Sequence, residues 1–598
     1  MYHKALIIAL VAFCFAITSC NQQPKVSWVD KKVDSFISIM TVEEKIGQMS
    51  QVRHFSDMET GDVKAKLLGS VIHTDGPTPG TTVEAWRAKF KSLQDEALST
   101  RLGIPLLIGV DAVHGQNTFD GATIFPHNIG LGATHNTKLV EDIAKATAKE
   151  CIGTGFNWTF SPCAAIPMNE KWGRVYEAFS EDAKLSSSMV AAMVRGLQGK
   201  LNGSSTIMAT AKHFIADGAT DYGVEGGNST VPVNVYKDVL LPPYTAAIEQ
   251  NVGAIMASFN NYHDVNMHAH KAMITDSLKV KYGFEGMVIS DWKGYSRFGK
   301  ADVVNAGLDM LMAVDGDLDL FQSEMKQFIE DGTVSMDRLD DAVKRILKQK
   351  IKLGLFKNPY PSDEFIASVG SDEHRNLAKQ AVRESLVLLK NEDKTLPLAK
   401  ESQKIVVVGE HANNTGLQSG GWTVSWQGKP ENYKNATTIL DGIKAMAQGE
   451  VVYDTMAQNL QVDADVAIIV VGEKPYAEFM GDIGKEGYDN SFYISDAHKK
   501  YIDAYNALGV KTVVVLISGR PLVVTEDIEK SNAFIAAWLL GSEGDGVAEV
   551  LFGDYNFTGT LPHTWPKSEE NFKGLYGPNH WDQENNGLFE LGYGLKYE

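Results

Sequence analysis

Gly286-Met287-Val288-Ile289-Ser290-Asp291-Trp292 is a short apolar run with β-branched members that stops at a carboxylate followed by an indole. A short apolar run bounded by turn formers reads as a buried strand. The same pattern, apolar and then polar, recurs in Ile104-Pro105-Leu106-Leu107-Ile108-Gly109-Val110-Asp111 and in Ile207-Met208-Ala209-Thr210-Ala211-Lys212-His213. Such strands alternating with helical stretches predict an α/β fold whose first half is a (β/α)8-like barrel, where chemistry sits at the C-terminal strand ends. Asp291 stands at one of those ends. Its plain alternative is a helix cap, and the other polar residues at neighbouring strand ends weigh against that.

Barrel strands are expected over residues 71–73, 104–110, 156–160, 207–213, 254–259, 287–290 and 308–312, with helices over 139–151, 185–197, 235–248 and 336–353. These make seven, and the eighth is expected near Val303-Val304, with an incomplete barrel left open. Ahead of them Thr41-Val42-Glu43-Glu44 has capping-box spacing and starts a helix with Ile46 and Met49 on its apolar face. Asn358-Pro359-Tyr360-Pro361-Ser362-Asp363 is dense in turn formers and marks a boundary. The organisation expected is a leader over 1–20, a barrel domain over 21–357, a linker over 358–371 and a second domain over 372–598. The second domain opens with a helix over 374–389 and continues with apolar strands over 405–409, 466–472, 513–517 and 534–538. That pattern predicts an open α/β sandwich with a mostly parallel sheet.

A chain of 598 residues is too long for one hydrophobic core. Its 56 Lys and Arg against 75 Asp and Glu leave a formal charge of -19, which argues against nucleic acid and favours a neutral substrate. Residues 5–17 are apolar after Lys4, the length of a signal-peptide core and too short for an ordinary membrane span. Ile17-Thr18-Ser19-Cys20 resembles a bacterial lipobox, which implies lipidation of Cys20 as the only membrane attachment. Cys151 and Cys163 then remain, as a disulfide or as two buried thiols.

Besides Asp291, the strand ends carry Asp111 with His114, Arg174 in Lys171-Trp172-Gly173-Arg174, and Lys212-His213. All such ends of one barrel face one pocket. A carboxylate, a guanidinium, an ammonium and an imidazole around one cavity suit the hydroxyls of a small polyol, with Asp accepting and the cations donating. Trp292 follows the key carboxylate, and Gly420-Gly421-Trp422-Thr423-Val424-Ser425-Trp426 adds two indoles on a stretch without strand or helix periodicity. Flat indoles match the C–H faces of sugar rings; packing of the domain interface is the other account of them.

Lys212-His213-Phe214, the 283–292 stretch, Gly472-Glu473-Lys474-Pro475-Tyr476-Ala477-Glu478 and Gly541-Ser542-Glu543-Gly544 together resemble glycoside hydrolase family 3, closest to its two-domain β-glucan exohydrolases and β-glucosidases. The resemblance runs from about residue 30 to the C-terminus and implies an active site between a barrel and an α/β sandwich. It implies Asp291 as nucleophile and Glu478 as acid/base; the residues alone do not separate Glu478 from Glu473. It assigns Asp111, Arg174, Lys212 and His213 to the terminal sugar and Trp292 with Trp426 to the next ring. Trp422, Met256, Arg297 and Glu225 match positions near that pocket, and Phe259 stands where the pattern often has Tyr.

The implied reaction is exo-acting cleavage of a β-linked oligosaccharide or glucoside with retention, for which the two carboxyls lie about 5–5.5 Å apart. Asp291, among cations, is expected to be ionised, and Glu478, away from those cations, to hold its proton. Such a double displacement needs no cofactor, and no residue is assigned to a metal. The rivals are a β-xylosidase, a β-N-acetylhexosaminidase, a non-catalytic glycan-binding lipoprotein and a nucleotide-binding second domain. Ile215-Ala216-Asp217-Gly218, without the histidine loop of the hexosaminidase branch, argues against that branch; Asp291 and Glu478 together argue against a binding module. No glycine-rich phosphate loop follows Val408-Gly409.

Overall fold

The computed structural model describes residues 27–74, 78–201, 204–401, 403–488, 490–571 and 587–597, so the expected leader and Cys20 lie outside the described residues. The first helix signal is realised as written: Val42–Met49 is capped by Thr41, whose side chain accepts from the Glu44 N–H while Glu44 reaches back to the Thr41 N–H.

Eight parallel strands follow. They are β1 (Ser50–Arg53), β2 (Ser70–His73), β3 (Leu107–Val110), β4 (Trp158–Thr159), β5 (Thr210–Phe214), β6 (Ala254–Ala257), β7 (Met287–Ile289) and β8 (Leu311–Met312). One sheet runs β8-β1-β2-β3-β4 and another β7-β6-β5. Parallel bridges Trp158↔Met208 and Ile289↔Met310 join their ends, so the ring closes and the barrel is complete. The eighth strand is therefore Ser50–Arg53, and Val303 and Val304 sit instead in the helix Ala301–Ala306. β1 was hidden because it follows the capped helix without a turn and reads Ser-Gln-Val-Arg, too polar to stand out as a buried strand.

The strand that delivers Asp291 is anchored by charge. Asp309, fully buried, accepts from the Val288 N–H at 2.8 Å and from Lys279 Nζ at 2.7 Å, and pairs with Arg338. Burial pushes the Lys279 ammonium down to about 8, against the pull of Asp309.

The second sheet is ordered β9-β14-β13-β12-β10-β11, from β9 (Val387–Asn391), β10 (Ile405–Val408), β11 (Val451–Asp454), β12 (Val466–Gly472), β13 (Lys511–Ile517) and β14 (Ala533–Ala536). All pairs are parallel except β9 with β14. The helix expected over 374–389 ends at Ser385, and Val387–Asn391 turns into this antiparallel edge strand. Its Val-Leu-Leu run pairs with β14, and that long-range contact outweighs local helical periodicity.

The two cores meet. Val113, Cys163, Trp172, Val175 and Tyr176 of the barrel half pack into the core of the second sheet. Arg520, fully buried after β13, donates to the Glu170 carbonyl at 2.7 Å and to the Gly481 carbonyl at 2.7 Å. Cys151 and Cys163 are buried free thiols.

Asp309→Ala leaves Lys279 buried without its closest carboxylate, a change of about 3–5 kcal/mol. The expected outcome is a clear fall in the urea midpoint of barrel unfolding, followed by near-UV circular dichroism.

Candidate active site

Asp111, Arg174, Lys212, His213, Glu225, Met256, Asp291, Trp292, Arg297, Trp422, Trp426 and Glu478 all line one cavity of about 680 Å³ at the C-terminal mouth of the barrel, under the second domain. Asp111 follows β3, Lys212 and His213 belong to β5, Met256 to β6, and Asp291 follows β7. Neighbouring side chains of a strand normally face opposite ways. The pairing of β5 with β6 shifts register between Ala211 and Phe214, and this break lets both Lys212 and His213 face the cavity.

Depth sorts the lining. Arg174, Lys212, His213 and Asp111 are 1, 2, 3 and 8% exposed, so the hydroxyl-binding types occupy the closed end. Trp292, Trp426 and Phe479 are half-buried, and Arg297 and Lys485 are exposed, so aromatic faces and long cations form the mouth.

Arg174 is the hub. Its Nε and Nη2 donate to the two oxygens of Glu177 at 2.8 and 3.0 Å, which fixes the guanidinium plane. Its Nη1 then lies 3.4 Å from Glu225 and 3.2 Å from Glu478. Glu478 is thus not remote from the barrel cations, contrary to the sequence expectation. Burial still dominates: it raises the Glu478 carboxyl to about 7, with Arg174 opposing and Asp291 adding to the rise. Desolvation and a nearby like charge therefore favour the proton on Glu478 against a cation within hydrogen-bond reach.

Asp291 is held from both sides of its own peptide. Its N–H donates to His268 Nε2 at 2.9 Å, and its Oδ1 accepts from the Trp292 N–H at 2.6 Å. Burial raises its carboxyl, while Arg174, the Trp292 N–H and Lys212 pull it down. His213 sits 3.7 Å from Asp291 through Nε2, and its Nδ1–H donates to Asp217 at 2.6 Å. Burial and Arg174 push the His213 imidazole well below its ordinary value, so Nε2 is an acceptor facing the cavity. Lys212 reaches Asp111 at 3.4 Å, and burial raises the Asp111 carboxyl against that pull.

The loop bearing Glu478 is brought in by backbone contact. A Cβ on Gly173 would stand 2.0 Å from the Glu478 carbonyl oxygen, so a glycine is needed at that approach. The Gly173 N–H donates to Asp482 at 2.8 Å, and the Glu225 N–H to the other oxygen of Asp482 at 3.0 Å. Glu478 itself has φ 53°, a left-handed conformation unusual for this residue type and found where a chain is held by its surroundings. Glu473, the other glutamate of the motif, points away: it accepts from the Gly519 N–H at 2.8 Å and from Tyr476 Oη at 3.1 Å.

Trp422 does both things foreseen for it, lining the cavity while its Nε1–H donates to Glu177 at 3.0 Å and its carbonyl accepts from Asn117 at 2.6 Å. Trp292 donates to Asp315 at 2.9 Å and carries Arg53 4.8 Å from its ring centroid. Phe259 lies under Arg297, 4.7 Å from its centroid. His114 does not line the cavity; it supports it through the Trp422 carbonyl at 3.2 Å. Glu177, Asp217, Arg53, Asp315 and Phe479 escaped the sequence reading. The Arg174–Glu177 spacing of three residues, the His213–Asp217 spacing of four and the place of Phe479 next to Glu478 were the available signals; Arg53 and Asp315 are distant in sequence and meet only through the fold.

A closed parallel barrel whose polar mouth is completed by an acid from an open α/β domain defines a two-domain sugar-cleaving enzyme. The chain belongs to glycosyl hydrolase family 3: the family's N-terminal domain model matches residues 41–349 and its C-terminal domain model residues 386–597. The structure is similar to the crystal structure of an exo-1,3/1,4-beta-glucanase from a Pseudoalteromonas species, with a TM-score of 0.90 and 35% identity over 97% of this chain and 75% of that one. The sequence is 30% identical to a periplasmic beta-glucosidase of Salmonella typhimurium, over 95% of this chain and 80% of that protein. It is also 26% identical to a beta-xylosidase of Formosa agariphila, over 99% and 82%.

Gly173→Ala is expected to displace the Glu478 loop while leaving the barrel intact. A shift on the order of 1 Å at a reacting group costs about 10²-fold, so kcat/KM for an aryl glycoside should fall by about that factor with the melting transition little changed.

Proposed function

We propose that this chain is an exo-acting β-glucosidase that releases glucose from the non-reducing ends of β-glucosides by double displacement, with Asp291 as nucleophile and Glu478 as acid/base. The observation that carries the reading is the pair itself: two carboxyls from separate domains on one sugar-sized cavity, with Glu478 raised to about 7. A proton available near neutral pH is what a general acid needs, since catalytic efficiency is greatest when its pKa lies near the working pH.

In this reading the terminal sugar enters the deep end. Asp111 accepts from its hydroxyls, Lys212 and Arg174 donate to them, and neutral His213 accepts through Nε2. Asp291, whose negative charge is favoured by Lys212 and Arg174, attacks the anomeric carbon as Glu478 protonates the departing oxygen. The ester on Asp291 is then hydrolysed by water activated by the ionised Glu478, which gives overall retention. Charged groups closing the inner end leave room for one sugar there, which supports release of single residues. Trp292 and Trp426 at the mouth hold the next ring by its faces and not by its linkage, so several β-linkages are expected to be cleaved. The names of the Salmonella and Pseudoalteromonas relatives support glucose at the inner site, while the Formosa name makes xylosides the comparison to run.

Export with a lipid anchor at Cys20, in the periplasm or at the outer membrane of a bacterium, belongs to the same proposal. It is supported by the apolar run over 5–17, the lipobox-like Ile17-Thr18-Ser19-Cys20 and the periplasmic name of one relative. A Cys20→Ser chain recovered in the membrane fraction as fully as the wild type would overturn the anchor.

The main test is a hydrolysis screen with aryl β-glucoside, β-xyloside and β-N-acetylglucosaminide, and with β-1,3-, β-1,4- and β-1,6-linked disaccharides. The glucoside should be cleaved fastest, and Asp291→Asn should abolish turnover; full activity in that variant sinks the assignment. Glu478→Gln should lose about 10²–10⁴-fold on disaccharides and far less on a dinitrophenyl glucoside, whose leaving group needs no proton. For the wild type, kcat/KM on disaccharides should decline as pH rises through about 7, because Glu478 must be protonated to act, and fall again at acid pH, where Asp291 takes up a proton and can no longer attack.

A further inference from the structure

We propose that His411, His498 and Glu410 form a second site, outside the sugar cavity, that binds a divalent transition metal of the zinc class and braces the base of the loop carrying Glu478. One nitrogen of each imidazole and one carboxylate oxygen of Glu410 lie within 4.8 Å of one another. Tetrahedral zinc with bonds of about 2.0–2.1 Å sets its ligand atoms roughly 3.3 Å apart. Small side-chain rotations cover that difference, and two imidazoles with one carboxylate are a donor set that zinc takes with a further position open.

The state of the two rings favours a ligand. His411 is fully buried, and its Nε2–H donates to the Glu473 carbonyl at 3.0 Å, which leaves the lone pair on Nδ1. That Nδ1 has no hydrogen-bond partner among the described residues, and neither has Nδ1 of His498, a residue only 8% exposed. An unpartnered buried ring nitrogen is costly, and here there are two, on rings whose centroids lie 5.3 Å apart. An imidazole whose far N–H is fixed on a backbone carbonyl is the arrangement that orients metal-binding histidines.

The place in the fold is equally specific. β10 and β12 are neighbours, but the chain leaves β10 towards β11 on one side and leaves β12 towards β13 on the other. Crevices at such reversals, outside the carboxyl ends of the strands, are where open α/β sheets bind ligands. Glu410 and His411 follow β10, and His498 lies in the first turn of the helix Asp496–Ala507 that leads from β12 to β13. Gly409, with φ 102°, turns the chain out so closely over β12 that a Cβ would stand 2.1 Å from the Val470 carbonyl oxygen. The carbonyl held by His411 belongs to Glu473, five residues before Glu478. A metal on His411 therefore fixes the start of the acid loop from below, as Gly173 and Asp482 fix its end.

Metal binding stands without the sugar reading; the value of bracing the loop rests on it, and the test separates the two. After treatment with EDTA, wild type, His498→Gln, Glu410→Gln and Asp291→Asn are dialysed against Zn²⁺ alone and the bound metal is measured. Wild type and Asp291→Asn should hold one equivalent that His498→Gln lacks, and Glu410→Gln should bind at least about tenfold more weakly. Co²⁺ in the wild type should show the intense visible bands of a tetrahedral site. Equal zinc in wild type and His498→Gln, or none in either, overturns the site. Hydrogen exchange of residues 473–478 should slow on adding Zn²⁺ to wild type and not to His498→Gln; zinc bound with exchange unchanged overturns the bracing.

Discussion

The active-site end of this molecule depends on one buried guanidinium. Arg174 comes from a barrel loop, is locked by two bonds to Glu177, and spends its remaining nitrogen on Glu225 and on Glu478 of the other domain. Glu177 in turn takes the indole N–H of Trp422. One charge pair thereby fixes the position of an acid and of an aromatic wall, supplied by two segments each more than two hundred residues away. A buried cation with one carboxylate partner is costly to bury. With the ionised Glu177 locked to it and the carboxyls of Glu225 and Glu478 alongside, Arg174 stays charged, well above its ordinary value.

The same cluster sets the protonation of the pocket. Desolvation is the largest influence on Asp111, Asp291 and Glu478, and in each case it favours the neutral acid. What differs is the balance of neighbours. Asp291 has Arg174, Lys212 and a peptide N–H against burial, whereas at Glu478 the pull of Arg174 and Lys212 is offset by the Asp291 and Glu177 charges, which act with burial. The two carboxyls are thus pushed apart in proton affinity by a shared environment, the pattern that lets one act as base or nucleophile and the other as acid. They are electrostatically linked, so the loss or gain of a proton at either is felt at the other.

Rigid supply of the second acid falls to the open α/β domain. Its sheet buries β12 and β13 on both faces, and the loops at their carboxyl ends are tied to the barrel by Arg520, by the Gly173 approach and by Tyr176, whose hydroxyl donates to the Tyr476 carbonyl at 2.5 Å. Trp172, Val175 and Tyr176 of the barrel half pack into the core of that sheet, so the acid loop rests on a continuous apolar base. His411, just after β10, holds the Glu473 carbonyl at the base of that loop, so Glu410, His411 and His498 lie beside its start.

Short apolar runs ending in Asp111, Lys212-His213 and Asp291 announced a parallel barrel with its chemistry at one end, because strand burial on both faces leaves an unbroken hydrophobic record in the chain. The same logic exposed β10, β12 and β13, and placed Glu473 and Glu478 on a loop just beyond a strand of that sheet. Ser50–Arg53 and Val387–Asn391 were not readable in this way, since the first is too polar and the second is a strand only because β14 is there to pair with it. Local sequence puts Glu478 and Glu473 on one loop, and only the fold parts them: the backbone contact at Gly173 brings Glu478 to the cavity while Gly519 and Tyr476 hold Glu473 back. The nearness of Arg174 to Glu478, and the pairing of Arg174 with Glu225, of Trp422 with Glu177 and of Arg53 with Trp292, were decided by tertiary structure alone. Periodicity and burial are written locally along a chain, but the meeting of charges from distant segments depends on how two folded bodies dock.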